Sequence, residues 1–120
     1  MLYHKECGIP SNIKMQVISI LHSFKYKALG FSTHAGIELR KEAYPVDIAK
    51  VLYHYDFNFD DVFEVNENGG QVEKIGFRLR FNAINDIVFV ISKEKTIVTL
   101  WTNKITDTHS TLNKQVYAMA

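Results

Sequence analysis

The stretch GFRLRFNAINDIVFVISKEKTIVTLWT, residues 76–102, decides the fold. In its first part, Phe77, Leu79 and Phe81 alternate with Arg78 and Arg80. Side chains of a strand point to opposite faces in turn, so one face is apolar and the other carries two guanidiniums. NAIND then reads as a turn. Ile87–Ile91, IVFVI, is a continuous β-branched and aromatic run, the signature of a central strand covered on both faces. SKEK turns the chain again, and TIVTLWT is the last strand. On that strand Thr99, Trp101 and Asn103 share a face, while Val98, Leu100 and Thr102 take the other.

Working outward towards the N-terminus, VFEV and QVEKIGFRLRF flank NENGG, an Asn- and Gly-rich turn that predicts a hairpin. The texture changes at Asp61, and before it the period is helical. In SNIKMQVISILHSFKYKALG, Ile13, Val17, Ile20, Leu21, Phe24 and Ala28 recur at helical spacing. Ser11 or Asn12 can cap the start and Gly30 the end. FSTHAGIELRKEAYP predicts a short helix capped by Ser32 or Thr33, with His34 in its first turn. PVDIAKVLYHYDF predicts another, opened by Pro45. Helices followed by a meander give an α+β fold: two or three N-terminal helices packed on one face of a four-stranded antiparallel β-meander. The chain reads as a single domain over 1–120. Its helical half is 11–57, its sheet half 62–103, and 104–120 is a polar C-terminal segment. The second sheet face is then expected to be open to a ligand.

The composition narrows the function classes. A formal net charge of +1 carries no overall signature of a non-specific nucleic-acid binder, although a local cationic groove remains compatible with it. Cys7 is the only cysteine, so an internal disulfide is impossible and a cysteine zinc site is not expected. MLYHKECGIP has no basic segment followed by an apolar core. No apolar run approaches the roughly 20 residues of a membrane span. The expectation is a soluble, cytoplasmic chain with no membrane partner and no cofactor.

Chemistry concentrates in three places. Arg78 and Arg80 offer planar forks of donors that suit phosphate, unless acids such as Glu64 or Glu73 on neighbouring strands pair them. Trp101 can stack on a base if its face is open, or serve as core if it is not. The segment TNKITDTHSTL, 102–112, sets hydroxyls and Asp107 around His109, which fits either an active-site rim or a capped turn. No HExxH pair or other strong ligand spacing points to a metal, and no G-x-S-x-G elbow points to a serine hydrolase.

This layout, with STHA opening a helix, arginines on the second strand of the meander and DTHSTL after the last, resembles the BECR superfamily. These are small metal-independent ribonuclease toxins of barnase, EndoU, colicin and RelE type. The resemblance spans roughly Ser32 to Tyr117 and implies an endoribonuclease toxin that cleaves RNA, tRNA or mRNA, on the open sheet face. It implies catalytic roles for His34, His109, Arg80 and Thr111, and substrate contacts from Arg78, Trp101, Thr99, Asn103 and Tyr117. It also implies a neutralising antitoxin or immunity protein. Two histidines can act as base and acid near neutral pH while arginines stabilise charge on phosphorus. The competing expectation is a non-catalytic interaction protein, such as an immunity protein, antitoxin or phage regulator, using the sheet face as an interface.

Overall fold

The structure, a computed structural model, describes residues 2–106. The expected meander is present: β3 (Val62–Asn68), β4 (Gln71–Arg80), β5 (Asn85–Ser92) and β6 (Thr96–Lys104) pair antiparallel in chain order. The sheet is nevertheless wider than four strands. β1 (Leu2–Lys5) precedes the helices and pairs antiparallel with β3. β2 (Gly30–Phe31) lies between two helices and pairs parallel with β6, so the sheet is six-stranded in the order β1-β3-β4-β5-β6-β2. Both added strands are short. Neither LYHK nor GF has the length or alternation that marks a strand in sequence.

Gly69 and Gly70 close the β3–β4 hairpin with φ of 60° and 84°, the left-handed values that a two-residue hairpin turn requires. The β5–β6 turn uses Lys95 at φ 66° instead. That strained position is held by the lysine's own ammonium, which donates to Phe24 O at 2.8 Å and Lys27 O at 3.0 Å.

Three α-helices cover one face: α1 (Ser11–Ser23), α2 (Thr33–Lys41) and α3 (Pro45–His54). α1 is shorter than its apolar stripe suggested, because the chain tightens into a 3-10 turn at Phe24–Tyr26. Ile13, Val17, Leu21, Phe24, Ala35, Ile48 and Leu52 pack from this layer onto Val65, Ile75, Phe77, Ile87, Phe89, Ile91, Ile97 and Leu100 of the sheet.

The second face is not open across its width. Phe63, Val88 and Val90 form a smaller apolar cluster there, joined by Tyr3, Val98 and Trp101, and Val88 is fully buried. Gly76 makes this possible. A Cβ at that position would sit 2.8 Å from Cζ of Phe63, so the missing side chain is the space in which the ring lies.

Gly76→Ala is expected to push the Phe63 ring out of its seat and cost roughly 1–3 kcal/mol, read as a lowered urea midpoint. Adding Phe63→Leu should recover part of the loss. An unchanged midpoint in Gly76→Ala would show that the ring does not need the gap.

Candidate functional site

The sequence-expected residues fall into two groups. The first lies at the end of the second face where β4 and β5 meet the β6 terminus. Arg80 faces Asp86 in register, and Asp86 faces Asn103. Neither arginine pairs with Glu64 or Glu73. Both turn to Asp86: Arg78 Nε donates to Oδ2 at 2.7 Å and Arg80 Nε donates to Oδ1 at 3.0 Å. Arg78 Nη2 also donates to Lys104 O at 3.0 Å. One carboxylate thus holds two guanidiniums side by side. Arg80 remains 63% exposed, and its terminal amino groups donate to nothing among the described residues.

These side chains wall a cavity of about 580 Å3, with Phe63 and Ile105 supplying apolar surface. Glu6, Asp60 and Asp61 also line it, and Lys5 and Cys7 complete the lining. Lys5 is not idle, since its ammonium lies 3.2 Å from Oε1 of the buried Glu64. That contact is an ion pair without hydrogen-bond geometry, so both Glu64 oxygens lack a hydrogen bond among the described residues. Formal charges on the lining are Lys5, Arg78 and Arg80 against Glu6, Asp60, Asp61 and Asp86, so the lining carries both signs of charge.

Asp61 ends the 3-10 turn Phe59–Asp61, which Asn58 caps by accepting from Asp60 N. Its Oδ2 accepts from the Tyr55 phenol at 2.7 Å. The Tyr55 ring sits among Phe57, Phe77 and Phe89, with centroids 4.9, 5.8 and 6.3 Å away. Burial pushes the phenol well above its ordinary value of 10.0, and Asp61 adds to the shift while the hydrogen bond with Asn58 opposes it.

The second group lies at the opposite edge of β6. His34 Nε2 is 3.0 Å from Glu38 Oε1, and that same oxygen accepts from Thr99 Oγ1 at 2.6 Å and from Leu100 N at 3.3 Å. Glu42, one helical turn on, accepts from Thr102 N at 3.1 Å. Glu38 and Glu42 therefore replace the carbonyls of an absent neighbouring strand. Arg78 and Arg80 stand on β4, two strands inward of β6, roughly 10 Å at the usual spacing. α2 lies outside β6 again, so His34 does not converge on the arginines.

Trp101 shares a rank with Val88 and Arg78, but it packs into the second apolar cluster and its buried Nε1 has no hydrogen-bond partner among the described residues. His109, Thr111 and Tyr117 lie outside the described residues. The sequence reading missed Asp86, Asp61 and Glu38. Asp86 carried a signal, since folding the NAIND turn into a hairpin sets it across from Arg80 as an opposite-charge pair. Asp61 and Glu38 carried none, because their partners are brought by tertiary packing. Among the described residues no three His, Cys, Asp or Glu side chains gather as a metal site would require, and no helix is long and apolar enough to cross a membrane. No protein-family model, curated protein or solved structure matches the chain.

Two outcomes follow from this geometry. Glu38→Ala leaves a buried hydroxyl and a buried backbone donor without an acceptor, and should lower unfolding free energy by roughly 1–3 kcal/mol in urea. His34→Ala, which removes only an exposed partner of the same carboxylate, should cost less than 1 kcal/mol or so. For Tyr55, both folded and unfolded chains keep the phenol protonated below its ordinary value of 10.0, so it contributes no pH dependence there. Above that value the unfolded chain ionises first, and stability falls as pH rises towards the folded value. Tyr55→Phe should remove this part of the alkaline loss, giving a shallower decline above about pH 10 in matched unfolding titrations.

Proposed function

We propose that this chain is an endoribonuclease that needs no metal, grips one backbone phosphate at the Arg78–Arg80 end of the sheet and draws its acid from the segment beyond β6. One observation carries the reading: two guanidiniums fixed side by side by Asp86 at a cavity wall, with the terminal amino groups of Arg80 unengaged among the described residues. Cleavage of RNA builds negative charge on phosphorus. Donors already oriented towards that charge are often the largest catalytic contribution. Guanidiniums suit the task because their forked N–H groups match phosphate oxygens.

His109 lies four residues past Ile105, which lines the cavity. Four residues of chain span at most about 14 Å, so the tether allows the imidazole to reach the phosphate. Thr111 and Tyr117 follow on the same segment. His34, fixed to Glu38 at the far edge, has no part in the chemistry on this reading. A toxin of this kind needs a neutralising antitoxin or immunity protein, and an acidic partner would complement Arg80.

The second reading is a non-catalytic interaction protein. It is favoured by the mixed lining, in which Glu6, Asp60 and Asp61 join the arginines, which fits a partner carrying both signs of charge. Incubation with tRNA and mRNA in EDTA separates the two. Wild-type cleavage is expected, with Arg80→Ala slower by about 100-fold or more, His109→Ala inactive and His34→Ala close to wild type. Folded wild type that cuts neither RNA transfers the assignment to the interaction protein. Loss of cleavage in His34→Ala would return that residue to the site.

A further inference from the structure

We propose that a second cavity, beside the β5–β6 turn, binds a small carboxylate with an aromatic body, the carboxylate on Lys95 and the ring against Phe24 and Phe57. The inference does not depend on the endoribonuclease reading. Asp86 and Ser92 stand near opposite ends of β5, about 20 Å apart at the usual rise per residue, and Lys95 follows Ser92 in the turn. The cavity therefore lies well away from the Arg78–Arg80 end of the sheet. Its volume is about 370 Å3, inside the range of roughly 300–1,000 Å3 usual for small-molecule sites.

The lining is an aromatic cluster with a cation set against it. Phe24 meets Phe57 edge-on with centroids 5.1 Å apart, and Tyr55 meets Phe57 at 4.9 Å. The Lys95 ammonium stands 5.4 Å from the Phe57 centroid and 6.0 Å from that of Phe24. Leu21 adds aliphatic surface, and Lys25 and Asp56 complete the lining. The Tyr55 hydroxyl is already engaged, as donor to Asp61 and as acceptor from Asn58 N, so Tyr55 contributes ring surface.

Lys95 is singled out by its backbone. An L-residue at φ 66° is strained, and glycine or asparagine would take that turn more easily. Two of its three ammonium N–H groups cap the chain after α1, at Phe24 O and Lys27 O. That capping accounts for the direction of the side chain. It leaves the third N–H without an acceptor among the described residues, on a cation that borders the cavity. An ammonium already fixed beside aromatic surface is a ready anchor for a carboxylate, because little ordering is lost when the ligand arrives. The charge balance selects a monoanion. Lys25 and Lys95 stand against Asp56, which leaves the lining one positive charge. A dianion such as a phosphate monoester would add uncompensated negative charge near Asp56. Two rings meeting at 82° offer a third ring both an edge and a face, the arrangements that aromatic pairs prefer.

The test is an amide-resolved NMR titration of the full chain with phenylacetate, beside its neutral isostere phenylacetamide and beside acetate. Phenylacetate should bind saturably with a millimolar Kd and shift the amides around Phe24, Phe57 and Lys95. Phenylacetamide should bind about tenfold more weakly, the loss that follows when a charged hydrogen bond becomes a neutral one. Acetate, which lacks the ring, should bind no better than the amide. Lys95→Gly removes the ammonium while relaxing the turn, and should weaken phenylacetate by about tenfold. Lys25 and Asp56 are both exposed, so replacing them leaves the packing intact. Lys25→Met should weaken binding a few-fold and Asp56→Asn should strengthen it a few-fold, opposite signs that a merely apolar cavity would not give. Equal affinity for phenylacetate and phenylacetamide overturns the proposal, as does full affinity in Lys95→Gly. Should Lys95→Gly lose the fold, equal affinity in wild type, Lys25→Met and Asp56→Asn overturns it alone. Shifts centred on Arg80 and Asp86 would assign the anion to the other cavity, and the absence of any saturable shift with phenylacetate would leave no site here.

Discussion

Ile87–Ile91 carries apolar side chains on both faces, and each face must be kept from water. Burying one such side chain stabilises by roughly 1.5–3 kcal/mol, and the net stability of a domain is only about 5–15 kcal/mol. Leaving either face bare would therefore consume much of the total. On the first face the helices supply the cover. On the second, Phe63 from β3, Trp101 and Val98 from β6 and Tyr3 from β1 close over Val88 and Val90. Gly76 is the concession that lets Phe63 lie flat enough to do so. The second face thus cannot offer its middle to a ligand. What remains is the end of the sheet, where β4 and β5 carry arginines and an aspartate in place of apolar residues, and there the cavity forms.

The edges are treated just as unequally. β2 covers the first residues of β6 and then stops. Beyond it the backbone donors of Leu100 and Thr102 point outwards with no strand to meet them. Unpaired edge donors are a template for association with another chain. α2 answers them because two periodicities nearly agree. Residues four apart on a helix are separated by about 6 Å along its axis, and residues two apart on a strand by roughly 6.6–6.8 Å. Glu38 and Glu42 can therefore each reach one donor. This accounts for His34. A histidine one turn before Glu38 meets the same carboxylate whether or not it has a task, so its ion pair follows from the sealing of the edge.

Legibility in the sequence followed the range of the interaction. Period-two and helical patterns act over a few residues, and they located the four long strands, the helices before them (expected as two or three), a cap at Ser32 or Thr33 and the Gly69–Gly70 turn. The alternation in GFRLRF put Arg78 and Arg80 on one face, and so it proved. β1 and β2 were silent because their pairing is decided by what neighbours them in space: β1 joins β3 across about sixty residues, with His4 bound to Glu67 at 3.1 Å. Trp101 looked the same as core or as a stacking platform until Phe63 and Val88 were placed beside it. Only Asp86 among the missed site residues was near enough in sequence to be found.

The Asp86 clamp also sets what kind of site this end of the sheet can be. Two unpaired guanidiniums two residues apart would repel each other and sample many rotamers, presenting more charge but no fixed direction. One shared carboxylate reduces the trio to a net +1 and spends both Nε donors, yet it fixes the planes and leaves the Arg80 fork facing the cavity. With Glu6, Asp60 and Asp61 in the same lining and a net charge of +1 for the whole chain, long-range attraction of a polyanion is weak. Recognition here has to be local. A lining of mixed charge around one held guanidinium pair suits a local contact better than retention of a long acidic strand. That difference separates this cavity from the broad cationic tracks of proteins that bind nucleic acid along its length.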